Sequence, residues 1–198
     1  MTQPVPEAPW TCRCRAVVWL TRPPRGAAAT LPGALAGRRP LGVAGGLIRY
    51  LDTPVGRYDE VFAALGFPHR RGVAGHISFM AVDSAASVAG GRGNWALPKE
   101  LAGFTGDLDD MTATGEGWQV IVRARPFGVA VPLRSSAINL QEYPDGVLRS
   151  ATLRLRGRAR PALVEVDAGG HPALLRSGRH LGALLEDATF VLGVPRPT

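Results

Sequence analysis

RSATLRLRGRAR, residues 149 to 160, sets Arg154, Arg156, Arg158 and Arg160 on one parity and Leu153, Leu155 and Ala159 on the other. A helix would spread those arginines around its circumference, whereas a strand sends successive side chains to opposite faces. The stretch reads as a half-buried strand with a wet arginine face, and ALVEVD at 162 to 167 alternates in the same way. Outward from it, comparable runs are TCRCRAVVWL (11 to 20), GVAGGLIRYL (42 to 51), GVAGHISFMAV (72 to 82), TATG with WQVIVRAR (112 to 125) and GVAVPL (128 to 133). Most are bounded by Gly, Pro or Asp, the residues of turns. Helical spacing is confined to RYDEVFAALG (57 to 66), closing on Gly66, and SGRHLGALLED (177 to 187). The sequence thus predicts a mainly β, antiparallel protein with a few short helices. Residues 1–198 are expected to form a single domain, with a loose tail at 1–9 and an irregular connection at 23–40.

The chain of 198 residues is 45% hydrophobic and 20% charged, which is globular composition. No apolar run approaches the roughly 20 residues of a spanning helix, and MTQPVPEAPW has neither the basic start nor the apolar core of a signal peptide. The expectation is a cytoplasmic protein that does not engage membranes. A net charge of +7 invites a nucleic-acid reading, but the arginines are scattered and no aromatics interleave with the densest cluster. No nucleic-acid partner is expected. Cys12 and Cys14 fall on the same face of one strand, a poor geometry for a disulfide, and read as reduced packing residues. The four histidines show no ligand spacing, and His76, in mid-strand, is expected as a satisfied interior histidine. Gly90, Gly91 and Gly93 match neither a P-loop nor a dinucleotide fingerprint. The reading calls for no metal and no cofactor.

NWALPKE, residues 94 to 100, holds the one lysine of the chain, Lys99, against 22 arginines. Arginine stays charged at ordinary pH, while a buried lysine amine can shed its proton and act as a nucleophile or base. Pro98 followed by Lys-Glu-Leu-Ala fits the opening of a short helix or turn after the glycine-rich AGGRGNW. Trp95, Leu97 and Leu101 supply an apolar wall. From the residues alone, Lys99 is either a catalytic amine or a surface lysine that escaped replacement by arginine.

VDSAASVAGGRGNWALPKELAGF (82 to 104), together with YLDTPVGRYDEV (50 to 61), resembles the acetoacetate decarboxylase superfamily over roughly residues 10 to 135. The resemblance implies a closed antiparallel, barrel-like β fold around an apolar cavity. It also implies that Lys99 forms a Schiff base with a keto substrate. Glu60, matching the Tyr-x-Glu pattern, would border the pocket as general acid/base. Otherwise it is an exposed residue on a short helix beside Asp59. Arg92 would hold a substrate carboxylate, or else brace the glycine-rich turn through backbone carbonyls. Trp95, Phe79 and Met80 are expected in the pocket lining or core and complete the substrate-binding set. Family members commonly form oligomers, which implies a homo-oligomer.

Three positions depart from the family pattern. The second lysine that follows the reactive one is Glu100 here, so desolvation is what remains to favour a free amine. The glutamate after the Gly-Arg pair is Gly93, and an acidic pocket residue upstream of Asp52-Thr53 falls at Gly46. With the carboxylate set thinned, aldol, dehydration or cyclisation chemistry in specialised metabolism is expected ahead of decarboxylation, all of it lyase-like work on a small keto or keto-acid substrate. The competing expectation is a β-barrel-like protein that binds a small ligand without chemistry and retains the family lysine.

Overall fold

A computed structural model describes residues 5–70, 72–170 and 174–198. In chain order the strands are β1 (Trp10–Thr21), β2 (Gly42–Asp52), β3 (Tyr58–His69) and β4 (Gly72–Val82). A helix, α1 (Ala85–Trp95), follows. Then come β5 (Lys99–Leu101), β6 (Gly103–Asp107), β7 (Asp110–Gly115), β8 (Trp118–Pro126), β9 (Val131–Glu142), β10 (Leu148–Gly169), β11 (Gly178–Leu192) and β12 (Arg196–Pro197). The mainly β expectation holds. The C-terminal third, which carries no recognisable motif, contributes β9 to β12.

Strands β11, β1, β2, β3, β4, β9 and β10 follow one another through hydrogen-bonded ladders, and β10 pairs back onto β11 to close a ring. The ring is not wholly antiparallel: β4 meets β9 in a short parallel joint at Ala74–Ile138 and Gly75–Asn139, and β5 lies parallel to β4. Beyond Pro161, β10 stays paired with β11 as far as Val166 but exchanges β9 for β8, which carries β7 and β6. This extension folds back over the outer face of β1 to β4. The sheet is consequently buried on both sides. One face packs Val17, Leu47, Val61 and Leu65 against Met111, Val120 and Val122 of the extension. The opposite face looks into the ring and carries Cys12, Cys14, Tyr50, Tyr58 and Met80.

Neither helical expectation holds, for β3 because it is buried on both sides and for β11 because adjacent Leu184 and Leu185 pack into different cores while Leu181 is exposed. RYDEVFAALG is not a helix but the body of β3, and SGRHLGALLED belongs to β11. A strand covered on both faces reads as a continuous apolar run, which periodicity does not separate from a buried helix. Ladders with two neighbours each then override a weak local preference. The reverse occurs at VAGGRGNW, expected as a bend, which lies in α1. Ser84 caps that helix by accepting the Ser87 N–H at 3.2 Å. Lys99 likewise begins a strand, with Met80 opposite it, and not a helix.

The arginine-rich strand lies as read except at Arg160, which is half-buried and paired with Glu186 at 2.9 Å. Arg154, Arg156 and Arg158 are exposed, while Leu153 and Leu155 turn inward. After Pro161 the buried parity switches to Ala162, Val164 and Val166, because the outer face there is covered by the extension. The connection at 23–40 contains two short 3-10 turns and buries Leu35 completely. Of the expected loose tail, positions 1–4 lie outside the described residues. Positions 5–9 are held to α1, with Asn94 accepting the Ala8 N–H and donating to the Pro6 carbonyl. Among the described residues no helix is long and apolar enough to cross a membrane.

Leu47, fully buried between the layers, should cost about 2–5 kcal/mol on truncation to alanine. Leu163→Ala, at a side chain 39% exposed, should stay within about 0.5 kcal/mol. Urea unfolding of the two variants checks the difference.

Candidate active site

The ring encloses a cavity of about 340 Å³ whose walls are almost wholly apolar. Parity and register bring its polar groups together. Along β3 the even positions Tyr58, Glu60, Phe62, Ala64 and Gly66 face the lumen. On β2, Tyr50 stands opposite Tyr58, and on β1, Cys14 stands opposite Tyr50. Lys99 lies beyond β4, opposite Met80, which in turn faces Phe62. Two strand spacings, about 10 Å, separate Lys99 from β3. That gap is closed by two long side chains reaching toward each other.

They meet in a buried contact. Lys99 Nζ donates to Glu60 Oε2 at 2.7 Å and to Ser87 Oγ at 2.8 Å, and it lies 5.0 Å from the centre of the Tyr58 ring. The Tyr50 hydroxyl donates to the other Glu60 oxygen at 3.1 Å. Lys99 is 3% exposed and Glu60 2%. Glu60 therefore sits in the lumen on a strand, and the alternative of an exposed helix position does not hold. Helix α1 passes close to the lysine: a Cβ at Gly91 would fall 2.6 Å from Lys99 Cδ, so only glycine lets the helix and the lysine chain share that space.

Met80 and Trp95 line the cavity as expected, and the Trp95 indole N–H donates to the Gly193 carbonyl at 2.8 Å. Phe79 does not. Adjacent strand residues point to opposite faces, so Phe79 packs edge-on to Trp118 in the other core. Arg92 also stays out of the lumen: it is exposed on α1, and its Nε donates to the Lys99 carbonyl at 2.8 Å. Its guanidinium is thus placed against a backbone carbonyl of β5 and away from the cavity. Glu100 points away from Lys99, again by strand parity, and accepts the Trp118 indole N–H at 2.9 Å. Gly93 lies on the exposed side of α1. A Cβ at Gly46 would meet the Phe62 ring at 2.3 Å, so an aromatic occupies the space an acidic side chain there would need.

Sequence reasoning missed Tyr50, Tyr58 and Ser87. Tyr58 shares the parity of Glu60 on β3, whereas Tyr50 joins them only through the cross-strand register of β2 with β1 and β3. Ser87 required the helix at 85–95, which glycine content disguised. His76 is a satisfied interior histidine, its Nδ1 3.0 Å from the Leu140 carbonyl oxygen, and burial lowers its pKa. Cys12 and Cys14 are free, buried and part of the lining. Burial, and then the Glu60 charge, pushes each thiol from 9.0 up to about 12. The same two causes raise the Tyr50 and Tyr58 hydroxyls.

A strand ring with a hollow apolar interior and a buried lysine–carboxylate contact defines the class of protein. Residues 1–117 match the family model for acetoacetate decarboxylase, and the chain belongs to that family. Among solved structures it is similar to acetoacetate decarboxylase from Legionella pneumophila, with a TM-score of 0.68 at 16% identity over 98% of this chain and 88% of that one. The enduracididine biosynthesis enzyme MppR complexed with pyruvate gives 0.71 at 12% identity, over 97% and 91%. An acetoacetate decarboxylase-like enzyme from Sphingomonas wittichii RW1 gives 0.67 at 13%, over 98% and 94%. No curated protein matches the chain at the sequence level.

Removing one partner of a buried ion pair leaves the other uncompensated. Lys99→Met should therefore destabilise the protein by about 3–5 kcal/mol, and adding Glu60→Gln should recover part of that loss in thermal unfolding. The thiols have a raised folded-state pKa, so their contribution is present below pH 9.0 and is lost as pH climbs toward about 12. Stability should fall across that window, and less so in a Cys12→Ala/Cys14→Ala variant. Native protein at pH 8 should resist thiol alkylation, which intact mass would record.

Proposed function

We propose that this protein is a lyase-like enzyme in which Lys99 forms a Schiff base with the carbonyl of a ketone or keto acid held in the strand ring. The observation that carries this reading is the position of Lys99 Nζ on the wall of an apolar cavity, 2.7 Å from the Glu60 carboxylate. An amine must be neutral to attack a carbonyl. Transfer of one proton from Nζ to Glu60 within that hydrogen bond makes the amine available without creating net charge in the lumen.

Nζ adds to the carbonyl carbon, and the oxygen takes up protons and leaves as water, with Glu60 returning the proton it accepted. The resulting iminium draws electrons from the neighbouring carbon. A bond there breaks, to CO₂, to a proton or to a second carbon, and the electron pair is stored as an enamine. The enamine carbon then takes up a proton, or attacks the carbonyl carbon of a second reactant whose oxygen takes up the proton, and either step restores the iminium; water hydrolyses it, releasing the product carbonyl and Lys99. Ser87 and Tyr50 hold the lysine and the glutamate in place through the hydrogen bonds described above.

Of the possible outcomes, condensation, dehydration or cyclisation is favoured over decarboxylation. Expelling a carboxylate is assisted by a second, repelling carboxylate, and among the described lining residues Glu60 is the one acid. A solved structure of MppR, similar in fold, is complexed with the condensation product of pyruvate and imidazole 4-carboxaldehyde, which supports the same direction. A pocket that binds ligand without chemistry is the poorer reading, since it gives no reason to keep a charge pair in an apolar lumen, where burying ions is costly.

Incubation with a panel of keto compounds followed by borohydride should give a reduced adduct by intact mass, absent in Lys99→Arg. Glu60→Gln should slow labelling by roughly 10²–10⁴-fold if Glu60 moves the protons. Failure of every ketone to label Lys99 would remove the Schiff-base mechanism.

A further inference from the structure

Lys99 and Glu60 take up only one end of the lumen. From Glu60 the lining continues along β3 through Phe62 and Ala64 to Gly66, a run of about 20 Å at 3.3 Å per residue. At the far end the cross-strand partners are small. Ala44 stands opposite Ala64, Gly75 opposite Gly66, and Ala137 of β9 lines the same region beside Asn139, whose amide oxygen accepts from Gln141. Larger side chains there would fill the space. Val73, also in the lining, is 58% exposed, so the lumen reaches the surface at this end. Its rim is apolar: Leu20, opposite Ala44, and Leu41, whose N–H donates to the Gly66 carbonyl, are each 72% exposed.

Among the described lining residues, Lys99 is the one cation and Glu60 the one carboxylate, and each is engaged with the other. Arg92 is held outside by the Lys99 carbonyl. A ligand carboxylate would find no free counter-charge, whereas a hydrocarbon chain would meet matching walls. The cavity of about 340 Å³ holds roughly ten groups of water's share of volume, about 30 Å³ each, far more than pyruvate needs.

We infer that the substrate is an uncharged ketone bearing an unbranched apolar chain, its carbonyl at Lys99 and its chain running past Ala64 and Gly66 toward the opening at Val73. The placement of the carbonyl rests on the Schiff-base reading. The chain site rests on the lining alone.

Calorimetric titration with methyl ketones, from methyl ethyl ketone to methyl octyl ketone, tests the chain site independently of chemistry. Affinity should rise about fourfold per added methylene along the series. The α-keto acid of equal chain length should bind roughly tenfold or more weakly, because its carboxylate is desolvated without a partner. Ala64→Phe should abolish the gain for the longer ketones, and Ala137→Leu, from another wall, serves the same purpose should the first variant fail to fold. A flat series, a preference for the keto acid, or plugged variants that keep the full gain would overturn the proposal. Borohydride labelling run beside the titration separates the two readings. A variant-sensitive chain gain without labelling keeps the chain site and removes the Schiff base. Labelling by small keto acids with no binding of long ketones does the reverse.

Discussion

A lysine and a glutamate in contact inside an apolar cavity constrain everything around them. Taking two charges out of water costs several kcal/mol each, and their attraction offsets this only when geometry and further hydrogen bonds are good. Both conditions are met by groups from distant parts of the chain: β3 brings Glu60, β5 brings Lys99, β2 brings Tyr50 and α1 brings Ser87. The glycine at position 91 lets α1 lie against the lysine chain. Loss of any one of these supports leaves a buried polar group without its partner, so the ring, the helix and the short parallel strand, each placed by its own backbone bonds, are also joined at a single polar cluster.

The ring in turn depends on covering β1 to β4 twice. A sheet with one face on a hollow lumen has lost half of its packing partners, and the extension of β10, β8, β7 and β6 restores a dense core on the other face. The lumen is thereby free to remain open. Its walls carry small residues where space is needed and aromatics where it is not, as at Gly46 and Phe62.

Local sequence carried much of this. The alternation at 149–160 is a property of one strand and its solvent, and it was legible without knowledge of neighbours. Lys99 stood out because it differs chemically from 22 arginines, and the Pro-Lys and Tyr-x-Glu patterns tied it to Glu60 through family resemblance. RYDEVFAALG lacks alternation because both of its faces are covered, and SGRHLGALLED because adjacent Leu184 and Leu185 pack into different cores; local spacing then says little about helix or strand. The helix at 85–95 was hidden by glycines whose purpose is close approach to Trp10 and Lys99, a reason that exists only once those side chains are in place.

The sequence by itself determined the strand-rich class, the family and the identity of the lysine and glutamate that meet in the cavity, because these follow from period, composition and short motifs. Tertiary structure alone decided which way each side chain points. It turned Phe79, Glu100 and Arg92 away from the lumen, brought Tyr50 and Tyr58 into it and set Ser87 against Lys99. In a two-faced sheet a residue's side depends on register and on what covers each face, and both are set by strands far away in the chain.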